Sequence, residues 1–384
     1  MAVRLVGRLI ARAKVSSVNS QVITRYPRNY SSSYLIKPVW RRFSSQTDAV
    51  KQQLLDNVKK QLERSASKDK QLNALEELVS VSQWSNLTPT LIGKLANIQK
   101  CLPEEIYGLA VAIYSTKDAD PSVLKVATQL FAYAGECGDH NAQYSYAQLL
   151  RAGGGCEPDM KKSAEIFTDL AMKGHPYAQF SLAGMYLTGM GVEQNYVRAY
   201  TLYKVSAQNK IPQAYKLMGD LHLSGNGVPE DFSEALKCYR QGTELGDPTA
   251  HVALAHCYSN GKGVEQSHQE AFKHNMKAAE MGYAMGQYNV GVQYFAGKGV
   301  DLDLVKAVEF YERAADQGFV PAQINLGNMY FGGHGVDKDW EKAKELYKKA
   351  SVTNIQARDL YNDVLAEEKK LAESNNESKP HSDA

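Results

Sequence analysis

The sequence predicts an all-α protein: a right-handed superhelical solenoid of antiparallel helix pairs, with helical caps at both ends. Two observations support this fold class. The segment AQFSLAGMYLTGMGV, from Ala178 to Val192, recurs in related form every 36 residues. Each copy carries small or apolar residues at helical spacing and ends in a Gly-x-Gly turn. A fixed period of this length indicates stacked helical hairpins, because a single hairpin cannot bury its apolar face alone.

The repeats follow one another without insertions. Six strong units begin at Ala142, and counting back one period reaches a weaker unit in which Lys117 to Asp120 replaces the glycine turn. The weaker unit keeps Tyr114 and Ala127 at the shared positions. The predicted units are 106–141 (degenerate), 142–177, 178–213, 214–249, 250–285, 286–321 and 322–357.

Each unit has a recurring internal pattern, described here by the offset from its first residue, which is offset 0. In the six strong units, offset 5 of the first helix is always small, for example Ala183, Gly291 and Gly327. Glycine inside a helix costs about 1 kcal/mol relative to alanine, so its recurrence predicts a close helix crossing. In the units from 178 onward, the second helix carries alanine at offset 21 and tyrosine at offset 25, where Asn275 is an exception. We expect these tyrosines to be part of the core.

The Gly-x-Gly turns are predicted to end the first helix of each unit, because glycine accepts positive φ without steric cost. The valine after each turn is expected to fill the gap between the two helices. The turns differ from a phosphate-binding loop in two respects: no strand precedes them and no Lys-Ser or Lys-Thr follows.

The repeated residues resemble the SEL-one-like (Sel1-like) repeat family, which is related to tetratricopeptide repeats. The family's first-helix motif, A-x-x-x-L-G-x-x-Y-x-x-G-x-G-V, can be recognised in this sequence. Lys306 to Gly318 closely follows the family's second-helix motif. The resemblance extends from about Ile106 to Arg358. It implies a non-enzymatic protein that holds a protein partner in a groove.

Helical segments flank the repeats. Residues 44–105 are predicted to form an N-terminal cap, with a third helix starting at Thr88-Pro89 and carrying Leu91, Ile92, Leu95 and Ile98 on one side. Residues 358–373 are predicted to form a C-terminal capping helix, because an end repeat otherwise exposes apolar surface. Residues 374–384 are polar and are expected to be disordered.

The first 43 residues have the composition of a mitochondrial transit peptide. They hold nine Lys and Arg residues and no acidic residue, and Arg4, Arg8 and Arg12 form one stripe of an amphipathic helix. Arg41-Arg42-Phe43 followed by Ser44 is typical of a matrix-processing site, so we expect cleavage between Phe43 and Ser44. The import and processing machinery would then be partners, and the matrix is favoured over the intermembrane space. A disordered basic tail is the alternative.

The rest of the chain is acidic. It holds 35 basic and 42 acidic residues, a net charge of −7, which argues against nucleic-acid binding. No run of 18 apolar residues occurs, so no membrane span is expected. The five cysteines share no spacing, which indicates free thiols rather than a disulfide framework or metal site. No catalytic, metal-binding or cofactor motif is present.

The candidate binding residues lie on the first helices. Helical geometry leaves offsets 2, 6 and 9 facing a groove, and these positions vary in type while the framework stays constant. Phe295 and Phe331, both at offset 9, are expected to be exposed and to form a hot spot for a peptide or helix. The candidate binding residues are Lys216, Asp220, His256, Phe295, Asn328 and Phe331.

These features together predict a mitochondrial scaffold or adaptor for protein–protein interaction, with assembly or quality control of a mitochondrial complex as the process it serves. Two alternatives remain open. A repeat-built hydrolase or ligand-binding enzyme would need convergent His, Cys or carboxylate side chains in the groove. An organelle RNA-binding array would need basic groove positions, and only Arg151 and Lys216 qualify.

Overall fold

The structure, a computed structural model, describes residues 48–62, 68–80, 88–115 and 121–377. All regular elements in these ranges are helices, and the ranges contain no strand, which confirms the all-α class. None of the helices in this part of the chain is long and apolar enough to cross a membrane. The predicted transit peptide, with its Phe43–Ser44 cleavage site, lies outside the described residues.

The chain divides into two compact units, with the boundary between Asp231 and Phe232. In the first unit, helices before the strong repeats are α1 Asp48–Leu62, α2 Lys68–Ser80, α3 Pro89–Ile92, a 3-10 turn Ile98–Lys100, α4 Pro103–Tyr114 and α5 Pro121–Glu136. Its remaining helices are α6 His140–Ala152, α7 Met160–Met172, α8 Pro176–Thr188, α9 Tyr196–Gln208 and α10 Pro212–Ser224.

The second unit continues the same alternation of first and second repeat helices. Its helices are α11 Phe232–Glu244, α12 Pro248–Asn260, α13 His268–Glu280, α14 Ala284–Ala296, α15 Leu304–Asp316, α16 Val320–Gly332, α17 Trp340–Ser351 and α18 Ile355–Glu377. Within each unit, consecutive helices pack against each other, as expected for stacked hairpins.

The N-terminal region differs from the predicted third helix. The helix that starts at Pro89 ends at Ile92, and the chain then runs through turns to Asn97, before the 3-10 turn. Two contacts explain the early end. A Cβ on Gly93 would lie 2.7 Å from the Tyr133 ring, so a larger residue there would have to displace this ring. The Glu77 carboxylate then accepts hydrogen bonds from the backbone N–H groups of Ala96 and Asn97, at 3.0 and 2.7 Å, which stabilises the turn.

Side-chain caps start the second helix of most repeats. Asp303, for example, accepts a hydrogen bond from the backbone N–H of Lys306 at 3.0 Å, and this bond holds the pKa of the Asp303 carboxyl below its usual value. The same residue's own N–H donates to the Tyr294 carbonyl at 3.0 Å. The cap therefore begins the second helix and ties it to the first. Equivalent caps are Asp159, Asn195, Ser267 and Asp339.

The two glycines of each Gly-x-Gly turn have different roles. The first, such as Gly297 at φ +64°, ends the first helix in the left-handed conformation, as the sequence predicts. The second also has positive φ, and it contacts the preceding repeat. A Cβ on Gly299 would overlap the carbonyl of His268, the first residue of the preceding second helix. The turn therefore sets the spacing between neighbouring repeats, a role that the sequence analysis missed.

The close helix crossing predicted at offset 5 is present. A Cβ on Gly291 would lie 2.7 and 2.8 Å from ring carbons of Tyr311, and one on Gly327 would lie 2.6 Å from the Tyr347 ring. Both tyrosines are fully buried. Their burial confirms that the offset-25 tyrosines are part of the core, and it raises the pKa of both phenols.

The C-terminal helix is longer than predicted. It runs as one element from Ile355 to Glu377, so residues 374–377, expected to be disordered, are helical. Residues 378–384 lie outside the described part of the chain. Leu360 and Val364 are buried in a cluster with Phe331 and Tyr347, so the helix covers the last repeat.

Candidate functional site

The candidate site is the set of first-helix positions that the framework does not use. Offsets 2, 6 and 9 are spaced by four and three residues, so they share one face of each first helix. We call this face the stripe of a repeat. In the compact unit that ends at Asp231, the stripes of the three strong repeats are Tyr144, Gln148, Arg151; Phe180, Gly184, Leu187; and Lys216, Asp220, Leu223. In the second unit they are Val252, His256, Ser259; Tyr288, Val292, Phe295; and Ile324, Asn328, Phe331.

The two predicted aromatics have different surroundings. Phe295 is 46% exposed, which agrees with the prediction that it lies on the surface. Phe331 is only 6% exposed, so the expectation of an exposed pair is wrong. Its ring stacks on Trp340 at 5.2 Å, and α18 packs beside it. The end of the repeat series therefore covers the position that is open one repeat earlier.

The polar candidates in the stripes are held by internal bonds. Lys216 and Asp220 form an ion pair at 2.6 Å within α10, so Lys216 does not present an uncompensated positive charge. In the second unit, Asn328 accepts a hydrogen bond from the buried hydroxyl of Tyr347 at 2.7 Å. His256 is partly buried on α12. A paired lysine is a poor phosphate ligand, which weighs against the RNA-binding alternative.

A polar centre in the repeat 250–285 replaces the usual framework. His251 stands at offset 1, where a buried glutamine elsewhere donates to the carbonyl of the preceding helix end, as Gln287 does to Ala279. The Nδ1 atoms of His251 and His274 lie 3.1 Å apart. Burial, together with His251 and Lys277, lowers the pKa of His274 to about 4. Burial and Lys277 also lower the pKa of His251, so the pair is neutral at pH 7.

The exception to the tyrosine pattern belongs to the same polar centre. Asn275 is buried, its amide donates to Gln293 Oε1 at 2.9 Å, and its oxygen accepts from Asn289 at 3.2 Å. Each partner belongs to the next repeat. These two hydrogen bonds take the place of the packing that a tyrosine ring provides at offset 25 in other repeats, so Asn275 has a structural role.

Burial makes three of the thiols weaker acids than usual, which is the opposite of what activates a cysteine nucleophile. Burial raises the pKa of Cys238 to about 11, and it also raises the pKa values of Cys101 and Cys156. A reactive cysteine needs a lowered pKa. Among the residues that the structure describes, no group of three or more His, Cys, Asp or Glu side chains is placed to hold a metal ion.

One polar cluster in the first unit was not foreseen. The amide of Gln148 donates to the Tyr144 hydroxyl at 2.6 Å and to the Ser181 hydroxyl at 3.2 Å, which joins the stripe of one repeat to the first helix of the next. His175 stacks on the Tyr144 ring, with centroids 5.1 Å apart. The i, i+4, i+7 spacing of Tyr144, Gln148 and Arg151 is the sequence signal that could have identified the cluster.

Comparison with known proteins gives one family match. The Sel1 repeat profile matches six segments, 140–175, 176–210, 212–247, 248–283, 284–319 and 320–351. Each segment begins two residues before a predicted strong unit, the last one ends at residue 351 rather than 357, and the degenerate unit 106–141 is not among them. No curated protein matches the chain.

Two solved structures show the same kind of repeat. A protective antigen of uropathogenic Escherichia coli, with an SLR fold, is 28% identical, and the match covers 64% of this chain and 52% of that chain with a TM-score of 0.52. A Sel1 repeat protein from Oxalobacter formigenes is 27% identical, covering 65% of this chain and 95% of that chain with a TM-score of 0.54. The chain therefore spans about half of the E. coli antigen.

Proposed function

Because the chain belongs to the Sel1 repeat family, whose members generally mediate protein–protein interactions, we propose that it is a mitochondrial adaptor for a protein partner. The partner binds along the stripes of the first helices, and the chain serves the assembly or quality control of a mitochondrial complex. Repeats of this family are typically interaction modules rather than enzymes, which supports a scaffold role.

The observation that carries the proposal is the contrast between framework and stripe. Positions such as Gly291 and Tyr311 are fixed by packing, whereas the stripe beside them changes from repeat to repeat. Phe295 is the most exposed aromatic side chain of these stripes. A large apolar ring at the surface, beside partly buried Val292 and Tyr288, is a typical anchor for a partner.

The mitochondrial address rests on the first 43 residues. Their nine basic residues without any acid, followed by Arg41-Arg42-Phe43-Ser44, support import to the matrix and cleavage after Phe43. The import and processing machinery would be transient partners. Deleting residues 2–43 should leave the protein in the cytosol, and an in-organello import assay measures this. Import of the shortened chain at the normal rate would contradict the proposal.

The partner-binding proposal is tested by co-purification from mitochondria with the wild-type chain and two variants. Phe295→Asp places a charge at the exposed ring position and should reduce capture of specific partners at least tenfold. Val305→Asp is the matched control, because Val305 is exposed on the second helix of the same repeat, away from the stripe. Equal capture by wild type and Phe295→Asp, with unchanged helicity, would contradict binding at this stripe.

A further inference from the structure

The stripe of the first strong repeat carries a positive charge that no neighbouring acid compensates. Arg151 is partly buried on α6. Among the described residues, it forms no hydrogen bond or ion pair, in contrast to Lys216 of the same unit, which pairs with Asp220. Burial lowers the pKa of the Arg151 guanidinium, while Tyr144 and Tyr203 raise it. A guanidinium that is withdrawn from water without a partner is costly, and an anionic ligand that paired with it would offset that cost.

The groups around Arg151 are neutral hydrogen-bond donors. Tyr144, Gln148 and Arg151 share one face of α6, and Ser181 of α8 lies within 3.3 Å of the Tyr144 hydroxyl. One hydroxyl hydrogen of this pair bonds within the pair, and the other remains available to a ligand. Gln148 already donates to both oxygens, which fixes their positions.

An open notch lies beside these donors. The next stripe has Gly184 at offset 6, and a Cβ there would meet only the Tyr203 hydroxyl, at 3.6 Å. The missing side chain at position 184 therefore leaves room on this face of α8 for a group from outside the chain.

The charge of the cluster selects the ligand. Burial and His140 lower the pKa of His175, which stacks on Tyr144, so His175 is neutral at pH 7 and Arg151 supplies one positive charge. A carboxylate carries one negative charge and matches the planar guanidinium with two parallel hydrogen bonds. A phosphate, with its higher charge, would call for further cations.

We infer that Arg151, Tyr144 and Ser181, above the Gly184 notch, form a subsite for a carboxylate of an acidic segment in the protein partner. The inference rests on the proposed adaptor function and specifies a carboxylate as the group of the partner that binds at α6 and α8. The guanidinium binds both carboxylate oxygens, and the available hydroxyl donates to one of them. The carboxylate comes from an Asp or Glu side chain or from the end of the partner chain.

The test uses the full chain with ¹⁵N-labelled arginine and follows the Nε signal of Arg151, assigned with Arg151→Lys. Three pentapeptide probes distinguish the sources: acetyl-AAEAA-amide, acetyl-AAQAA-amide, and acetyl-AAQAA with a free C-terminal carboxylate. We expect the signal to shift with the glutamate probe, with the free-carboxylate probe or with both, and not with the glutamine amide. No shift with either carboxylate, or an equal shift with the glutamine amide, would overturn the inference.

Variants test the cluster independently of the arginine signal. Arg151→Met and Gly184→Leu, the second of which fills the notch without changing charge, should each weaken carboxylate-peptide binding at least tenfold by fluorescence anisotropy. Arg198→Met removes an exposed arginine outside the stripe and should leave affinity unchanged. Melting temperatures confirm that each variant is folded. Full affinity in both Arg151→Met and Gly184→Leu would overturn the inference.

Capture of mitochondrial partners separates this inference from the proposed function. If wild type captures a partner that Arg151→Met captures equally, the adaptor function stands and the carboxylate subsite is wrong. If the carboxylate probes bind but neither wild type nor any variant captures a specific partner, the subsite stands and the adaptor function is wrong.

Discussion

The packing at Gly291 makes a quantitative prediction, because helix propensity and steric fit act in opposite directions there. Replacing glycine by alanine inside a helix gains about 1 kcal/mol. The new Cβ would lie 2.7 Å from Tyr311 Cδ1 and 3.3 Å from the Ala307 carbonyl oxygen. Tyr311 is fully buried and has no space to move. Overpacking of this kind costs about 1–3 kcal/mol, so the propensity gain is cancelled or exceeded and Gly291→Ala should lose about 0–2 kcal/mol net.

Gly184 is the matched control for this substitution. It also lies inside a first helix, but a Cβ there would meet only the Tyr203 hydroxyl, at 3.6 Å. Gly184→Ala should therefore keep the propensity gain of about 1 kcal/mol. The two substitutions are chemically identical, and they differ in how closely the new Cβ would approach its neighbours.

Native-state hydrogen exchange, read by mass spectrometry, measures both effects locally. Amides of α14 and α15 should exchange up to about 30-fold faster in Gly291→Ala, which corresponds to a loss of up to about 2 kcal/mol. Amides of α8 and α9 should exchange up to about fivefold slower in Gly184→Ala. Slower exchange in both variants would show that the crossing at Gly291 is not tight, and the packing argument would fail.

Three further predictions concern turns and buried groups. Gly299→Ala and Gly318→Ala both place alanine at a φ near +78°, which costs about 1–2 kcal/mol. Only Gly299 faces the His268 carbonyl, so Gly299→Ala should have the lower melting temperature. Equal melting temperatures would argue against the inter-repeat contact. Lys210 adopts φ +60° where neighbouring repeats have glycine, so Lys210→Gly should raise the free energy of unfolding by about 1 kcal/mol, measured in urea. Burial lowers the pKa of His274 to about 4, so the unfolded chain binds more protons than the folded chain between about pH 4 and 6.5, and stability falls as pH falls through that window. His274→Gln should flatten this part of the plot of melting temperature against pH. An unchanged slope would contradict the lowered pKa of His274.

The repeat period predicted most of what local packing determines. One hairpin packing on another explains the Gly-x-Gly turns, the buried offset-25 tyrosines and the small residues at offset 5. Each repeat could be interpreted in the same way because it has similar residue types at the same offsets. The second glycine of each turn shows the limit of that reasoning. Its φ could be expected from residue type, but its contact with the preceding repeat depends on where two helices lie in space.

The site residues were harder to predict because they are defined by exceptions to the period. Phe295 and Phe331 share an offset, yet Trp340 and the C-terminal helix bury only the second. A repeat pattern carries no information about what covers its last copy. Likewise, the early end of α3 follows from Gly93 against Tyr133 and from Glu77, which are distant in sequence from one another.

The contact between the second turn glycine and the helix start of the preceding repeat has an evolutionary consequence. Each such contact joins residues of adjacent repeats only, as Gly335 does with Leu304. Duplicating or losing one whole period of the gene would recreate every one of these contacts, whereas a shorter insertion inside a hairpin would break two of them. Ancestors of this chain could thus lengthen or shorten their recognition surface by whole modules and then diversify each stripe separately.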